Sequence, residues 1–270
     1  MTIAFFALGL IAGSFLNVLI LRHGKRPLSG RSACPHCGRA IAWYDNIPVL
    51  SWMILRGSCR SCGGPISLQY PIVEALTGAL FALYGSAFPA FVPYTLIALP
   101  IIALLVAIAL YDLRTTFIPD AWVYAFAGLS FASPLFGVSG SFDLLGHALA
   151  GPASALPIFA LWFVSRGRWM GFGDVKLALG IGWLLGPALG FAAVMFAFIL
   201  GAIVSLAILL HLPRLARALS RWGISRYAPS RSYTMKSEVP FGPFLIAACF
   251  IIWFMQMHNI QLPFLSIYGL

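Results

Sequence analysis

The chain has 270 residues, 61% of them hydrophobic and 9% charged, with a mean hydropathy of +0.93. Soluble globular domains carry about 25% charged residues, so the chain lacks the polar surface to coat a soluble fold and reads as a polytopic membrane protein. Its net charge of +10 is therefore informative through where the cations lie; it is not read as a nucleic-acid footprint, and no nucleic-acid partner is expected.

The first apolar run, residues 2–21, has the length of a secretory signal. No basic residue precedes it and no small-residue cleavage site follows it. It is expected to remain as the first membrane helix. Residues 22–70 form a polar loop containing CPHCGRAIAWYDNIPVLSWMILRGSCRSC at 34–62, which is C-x2-C-x21-C-x2-C. Two such knuckles present four thiolates to one tetrahedral ion, so Cys34, Cys37, Cys59 and Cys62 are the expected ligands of a zinc ion. Each second cysteine is followed by glycine (Gly38, Gly63), which tight knuckle turns favour. His36 could stand in as a ligand, although four thiols suffice. Four protein ligands leave no position for water, so the zinc would be structural and would hold a loop with little core of its own. Unligated reduced thiols are the alternative. The fifth cysteine, Cys249, lies in an apolar run and reads as a small buried hydrophobe.

Further apolar runs near 71–88, 96–112, 118–137, 143–165, 174–188, 190–211 and 240–258 bring the candidate spans to eight. Gly186-Pro187 and Gly190 must supply the turn between the sixth and seventh; one kinked helix there would leave seven spans. The basic residues arbitrate. With eight spans, 16 of the 17 Lys and Arg fall in 22–70, 113–117, 166–173 and 212–239, and Lys176 lies just past an edge. The opposite loops (89–95, 138–142, 189 and 259–270) contain none. Cytoplasmic loops collect Lys and Arg, so the first set is expected in the cytoplasm and the amino terminus outside. Seven spans would place 212–239 and its basic residues on the wrong side. The expected fold is an all-α polytopic membrane protein with about eight transmembrane helices and a zinc-bearing cytoplasmic loop between helices 1 and 2. Its parts are the first helix (1–21), the loop (22–70) and a seven-helix core (71–270). Thiols in the reducing cytoplasm are not expected to form disulfides.

The chain has seven acids. Asp45 and Glu238 lie in cytoplasmic loops, and Asp143 opens an external helix start, where a carboxylate caps orphan N–H groups. Glu74, Asp112, Asp120 and Asp174 all map near the cytoplasmic ends of spans. Asp120 follows Pro119 and fits the first turn of the fourth span. Asp112 ends the third span and Asp174 opens the sixth, at similar depth on the same side. Acids at membrane depth are costly and usually face a bundle interior or a wet cavity. Two carboxylates brought together can share one proton, one then serving as base for a water while the other polarises a carbonyl. From spacing alone, these acids are either helix caps or such a dyad. Gly171 and Gly173 allow close backbone approach before Asp174. Lys176, two residues past Asp174, points away from the acid's helix face and reads as an interfacial lysine.

Six blocks occur in order: GSFLNV (13–18), CPHCG…WYDNIPVLSW…LRGSCRSCG (34–63), YPIVEALTG (70–78), DLRTTFIPD (112–120), GFGDVKLALGIG (171–182) and VPFGPFLIAA (239–248). In these the chain resembles the bacterial type IV prepilin peptidases, membrane aspartic proteases that share a Gly-x-Gly-Asp motif. The resemblance implies Asp112 and Asp174 as the catalytic aspartates. It implies cleavage, after a glycine, of the basic leader of prepilins or type II secretion pseudopilins at the cytoplasmic face of the bacterial inner membrane. It further implies N-methylation of the new amino terminus with S-adenosylmethionine, an activity associated with the zinc-bearing loop, and places Glu74 where methyl transfer or substrate handling is linked. Membrane lipid is the other expected partner, and the oligomeric state is not indicated. The chain departs from the family in LRHGKRP after the first span and in an Arg-rich last loop, which leaves substrate preference open. No G-x-G-x-x-G loop offers the methyl donor a place. A peptidase without methylation is the nearest alternative. A cation transporter with a zinc-knuckle loop would spread its acids through the spans, whereas here they gather at one face.

Overall fold

The computed structural model describes residues 1–24, 27, 30–88, 90, 92–136, 143–221 and 240–260, with 208–221 described through their backbone alone. Every element longer than a single bridge among these residues is helical. Eight helices fall at the eight expected places. They are α1 (Thr2–Arg22), α3 (Gln69–Ala87), α4 (Thr95–Thr115), α5 (Asp120–Ala132), α6 (Leu144–Ser165), α7 (Phe172–Leu185), α8 (Pro187–Arg221) and α9 (Gly242–Met257). A short helix, α2 (Leu50–Ile54), lies in the cysteine loop.

Four of the eight, α1, α4, α6 and the Pro187–Ala207 part of α8, are long and apolar enough to cross a membrane. Helices α5, α7 and α9 have 13, 14 and 16 residues. At 1.5 Å per residue, 13 residues reach only about 20 Å, short of a hydrocarbon core of about 30 Å. The 118–137 run is shorter as a helix because α5 passes at Ser133-Pro134 into a 3-10 turn, Ser133–Phe136. The 190–211 run is longer, since α8 starts at Pro187 and continues to Arg221 into the basic segment. Leu, Ala and Arg are good helix formers, which suits that continuation. Residues 222–239, the rest of the last basic loop, lie outside the described residues, as do 137–142, Lys25, Arg26 and 261–270.

The described parts of Met1–Leu110, Ala132–Gly140 and Phe254–Leu270 form one compact unit, and those of Tyr111–Phe131 and Ser141–Trp253 a second. In the first, α1 packs along α3. A Cβ on Gly9 would sit 2.7 Å from the Gly78 Cα, and one on Gly13 2.7 Å from the Glu74 Cα. Small residues four apart thus let two apolar helices meet backbone to backbone, the usual means of helix association without water. Buried Asn17 fastens the same pair: its Nδ2 donates to the Tyr70 carbonyl at 3.2 Å, and its Oδ1 accepts from Gln69.

In the second unit α6, α7 and α8 pack against one another. Asp143 caps α6 as expected, its Oδ1 accepting from the Leu145 N–H at 3.1 Å. The turn at Gly186-Pro187 separates α7 from α8 and folds α8 back, so that a Cβ on Gly190 would lie 2.8 Å from the Gly182 Cα. Pro187 suits the first position of α8, where no intrahelical N–H bond is lost. Cys249 is fully buried in α9, as expected for a small hydrophobe.

Candidate active site and metal centre

Helix α7 begins with Gly171 as its N-cap, which makes Asp174 its third residue. An acid at that position reaches back to the cap, and the Gly171 N–H donates to the Asp174 carboxylate. Helix α9 begins at Gly242, and its N–H donates to the Asp112 carboxylate at the end of α4. Each carboxylate therefore accepts a bond from a backbone N–H in the first turn of a helix, one of the donors that the helix itself leaves without a partner. Both are buried, with 4% of Asp112 and 8% of Asp174 exposed, and each lies within coulombic range of the other. The structure thus brings together the two acids that lie 62 residues apart in sequence. Asp174 Oδ1 is buried and has no hydrogen-bond partner among the described residues.

Two residues that the sequence reading did not single out build this arrangement. A Cβ on Gly242 would fall 2.5 Å from Asp112 Oδ2, so only glycine lets the helix start touch that carboxylate. Ile118, buried in the FIPD segment, lies 3.1 Å from the Cβ position of Gly173 and 3.3 Å from that of Gly242. It is wedged between the two helix starts that hold the acids. The signal in the sequence is the glycine of VPFGPF, which opens an apolar helix where a polar cap would be ordinary. Asp120 opens α5 as expected. Lys176 does turn away from Asp174, and its Nζ meets Asp120 Oδ1 at 2.6 Å, between the rings of Tyr124 and Phe172.

The cysteine loop contains one motif twice. The Cys34 N–H donates to the Arg39 carbonyl at 3.0 Å and the Gly38 N–H to the Cys34 carbonyl at 2.9 Å. In the second copy, the Cys59 N–H donates to Gly64 at 2.8 Å and the Gly63 N–H to Cys59 at 2.9 Å. Gly38 and Gly63 have φ of +69° and +68°, the left-handed region that glycine enters without a steric penalty. The four sulfurs lie within 4.8 Å of one another, and Cys34 and Cys62 are 3.9 Å apart. A tetrahedral ion with bonds of about 2.3 Å would space its sulfurs at about 3.8 Å, so the four thiols fit a metal ion. The backbone N–H groups of Cys37 and then His36 hold the Cys34 thiol down to about 6, within reach of the thiolate form that a metal requires. Cys62 is pushed up to about 11: the Gly64 N–H favours its thiolate, but desolvation and the three other sulfurs outweigh that bond. His36 is not among the clustered ligands; its ring packs where a Gly64 Cβ would be. All five cysteines are free.

Glu74 lies apart from the sulfur cluster, buried in α3 with 6% exposed. Its Oε2 accepts from the Val49 N–H at 2.7 Å, and its carboxylate bonds the Ser14 hydroxyl. Val49, the N-cap of α2, has φ +60° and ψ −51°, a strained conformation for a β-branched residue.

These features have counterparts in known proteins. Residues 7–88 match the Bacterial Peptidase A24 N-terminal domain, and residues 99–206 match the Type IV leader peptidase family. The chain belongs to the type IV leader peptidase family. Similar curated proteins are each named prepilin leader peptidase/N-methyltransferase. The one from Myxococcus xanthus is 39% identical over 76% of this chain and 62% of its own length. Those from Klebsiella pneumoniae and Vibrio cholerae are 37% and 31% identical, over 67% and 93% of this chain and 83% and 96% of theirs. No solved structure matches the chain.

Proposed function

We propose that the chain is a membrane aspartic endopeptidase that cleaves the leader of type IV prepilins or type II secretion pseudopilins after glycine, at the cytoplasmic face of the bacterial inner membrane, and then N-methylates the new amino terminus. The observation that carries the reading is the meeting of buried Asp112 and Asp174 at two helix starts. One carboxylate, ionised, takes a proton from a water as that water attacks the scissile carbonyl. The other, protonated, donates to the carbonyl oxygen, and the proton held by the first passes to the departing amine. Asp174 Oδ1, unpartnered among the described residues, is an acceptor with room in its hydrogen bonding for such a water. Because the pair works with one proton between its members, the rate falls on both sides of an optimum pH. The substrate suits this depth: a basic leader joined to a hydrophobic helix places its junction at the interface.

Eight spans are the topology we favour, with the amino terminus periplasmic and the three short helices completed by the packed bundle around them. Zinc is the metal that four thiolates in the cytoplasm would select, and it would close the loop without an open coordination position. S-adenosylmethionine supplies the methyl group. The Glu74 carboxylate is buried and bonded to Val49 and Ser14, which supports a role through the loop that begins α2. Glu74 acts on methyl transfer or substrate handling through the loop it holds. The test is to reconstitute the chain in proteoliposomes with a prepilin and S-adenosylmethionine and to read the product by mass spectrometry. The reading expects a pilin cut after glycine and carrying one added methyl. An uncut substrate overturns it, and a cut but unmethylated product supports the peptidase-only alternative.

A further inference from the structure

The cysteine loop buries almost nothing: Cys34 is the one buried side chain among the described residues from 30 to 68. Yet it displays large apolar groups. Trp43 is 81% exposed, Ile54 65% and Met53 62%, with Leu50 and Tyr44 also open. Leu50, Met53 and Ile54 have the spacing of one helical face. Trp52 turns inward instead, its Nε1 donating to the Ile66 carbonyl at 3.2 Å. A hydrophilic loop would not gather such a face, and exposed apolar patches mark contact with something apolar.

The position of this face says what covers it. The bond from the Val49 N–H to Glu74 pins the start of α2 to the second turn of α3. Helix α3 packs along α1, a candidate membrane span whose own outward residues, Ile3, Ile11 and Phe15, are apolar. The strain at Val49 persists because this bond over-determines the turn. The face is thus held beside an apolar helix pair, and it carries Trp and Tyr, the residues that concentrate at bilayer interfaces. The net charge of the loop sequence suits a bilayer surface. Residues 22–70 contain Arg22, Lys25, Arg26, Arg31, Arg39, Arg56 and Arg60 against a single acid, Asp45. That acid is paired with Arg60 at 2.7 Å, so anionic headgroups face net positive charge.

We propose that Trp43, Tyr44, Leu50, Met53 and Ile54 form an interfacial lipid-binding surface that lays the metal-bearing loop on an anionic bilayer. An apolar face flanked by cations, with aromatic rings at its edge, is the pattern of interfacial segments. The inference rests on the membrane reading given above and is independent of the peptidase reading.

The test places the full, metal-loaded chain in nanodiscs of phosphatidylglycerol and phosphatidylcholine and isolates Trp43 emission as the difference between wild type and Trp43→Phe. Phospholipids brominated near the headgroup should quench most of that difference signal, and aqueous acrylamide should quench little of it. Replacing Met53 and Ile54 by Asp should reverse the pattern while the bound metal stays at one ion per chain. Trp43 open to acrylamide and untouched by brominated lipid overturns the proposal. Shielding that appears only on adding a prepilin, or only when two chains share a disc, also overturns it in favour of a protein partner. Failure of the chain to enter nanodiscs at all would instead overturn the membrane reading.

Discussion

The carboxylate of Asp174 is bonded to the Gly171 N–H, yet its Oδ1 stays unpartnered among the described residues. Capping and dyad chemistry were alternatives in the sequence, because a lone Asp near a helix start satisfies either. The geometry shows that one carboxylate can hold its helix start and still present an oxygen. What could not be read from GFGD or DLRTTFIPD was the third partner. A glycine that opens α9 is recognisable only once the Asp112 carboxylate is seen to occupy the space its Cβ would need. Gly242→Ala should therefore push Asp112 aside while leaving fold and metal content intact. A displacement of about 1 Å costs roughly 100-fold in rate, and prepilin cleavage by the purified variant reads it directly. Wild-type turnover would show that the Gly242 contact does not position the acid.

At the level of elements, blocks that are remote in sequence turn out to face each other. GSFLNV and YPIVEALTG are the two sides of the α1–α3 seam, with Gly13 against Glu74 and Asn17 bonded to Tyr70. The helices were legible because apolar runs and Gly-Pro turns mark them. The seam was not, because helix pairing depends on side-chain fit that no period encodes. Lys176 is a similar case: helix spacing placed it away from Asp174, but its partner Asp120 comes from another helix. The pair is partly exposed and adds little stability; its use is to fix α7, which carries Asp174, against the start of α5. Lys176→Gln is expected to lower kcat roughly tenfold with KM little changed, and Lys176→Arg to restore most of it. Equal kcat for all three proteins would refute the positioning role. In the loop, Cys59→Ser removes one of four ligands. Bound zinc should fall and methylation should suffer more than cleavage, as read by metal analysis and product mass; unchanged zinc would contradict the four-thiolate site.

Across the whole molecule, composition alone was enough to exclude a soluble fold, and the asymmetry of Lys and Arg predicts an orientation with the amino terminus outside. The number of crossings is harder, because α5, α7 and α9 are shorter than the hydrocarbon core of a bilayer. A hydropathy run such as 118–137 includes the 3-10 turn after α5, so its length overstates the helix. Reporters test the topology: one fused after residue 140 should appear external, and one after Arg166 cytoplasmic. A cytoplasmic signal at 140 would break the eight-span arrangement. The central claim remains the aspartate pair. Cleavage of a prepilin in membranes should fall by about 10³-fold or more in both Asp112→Asn and Asp174→Asn, with each variant still inserted and metal-bound. Full processing by either variant would contradict the account.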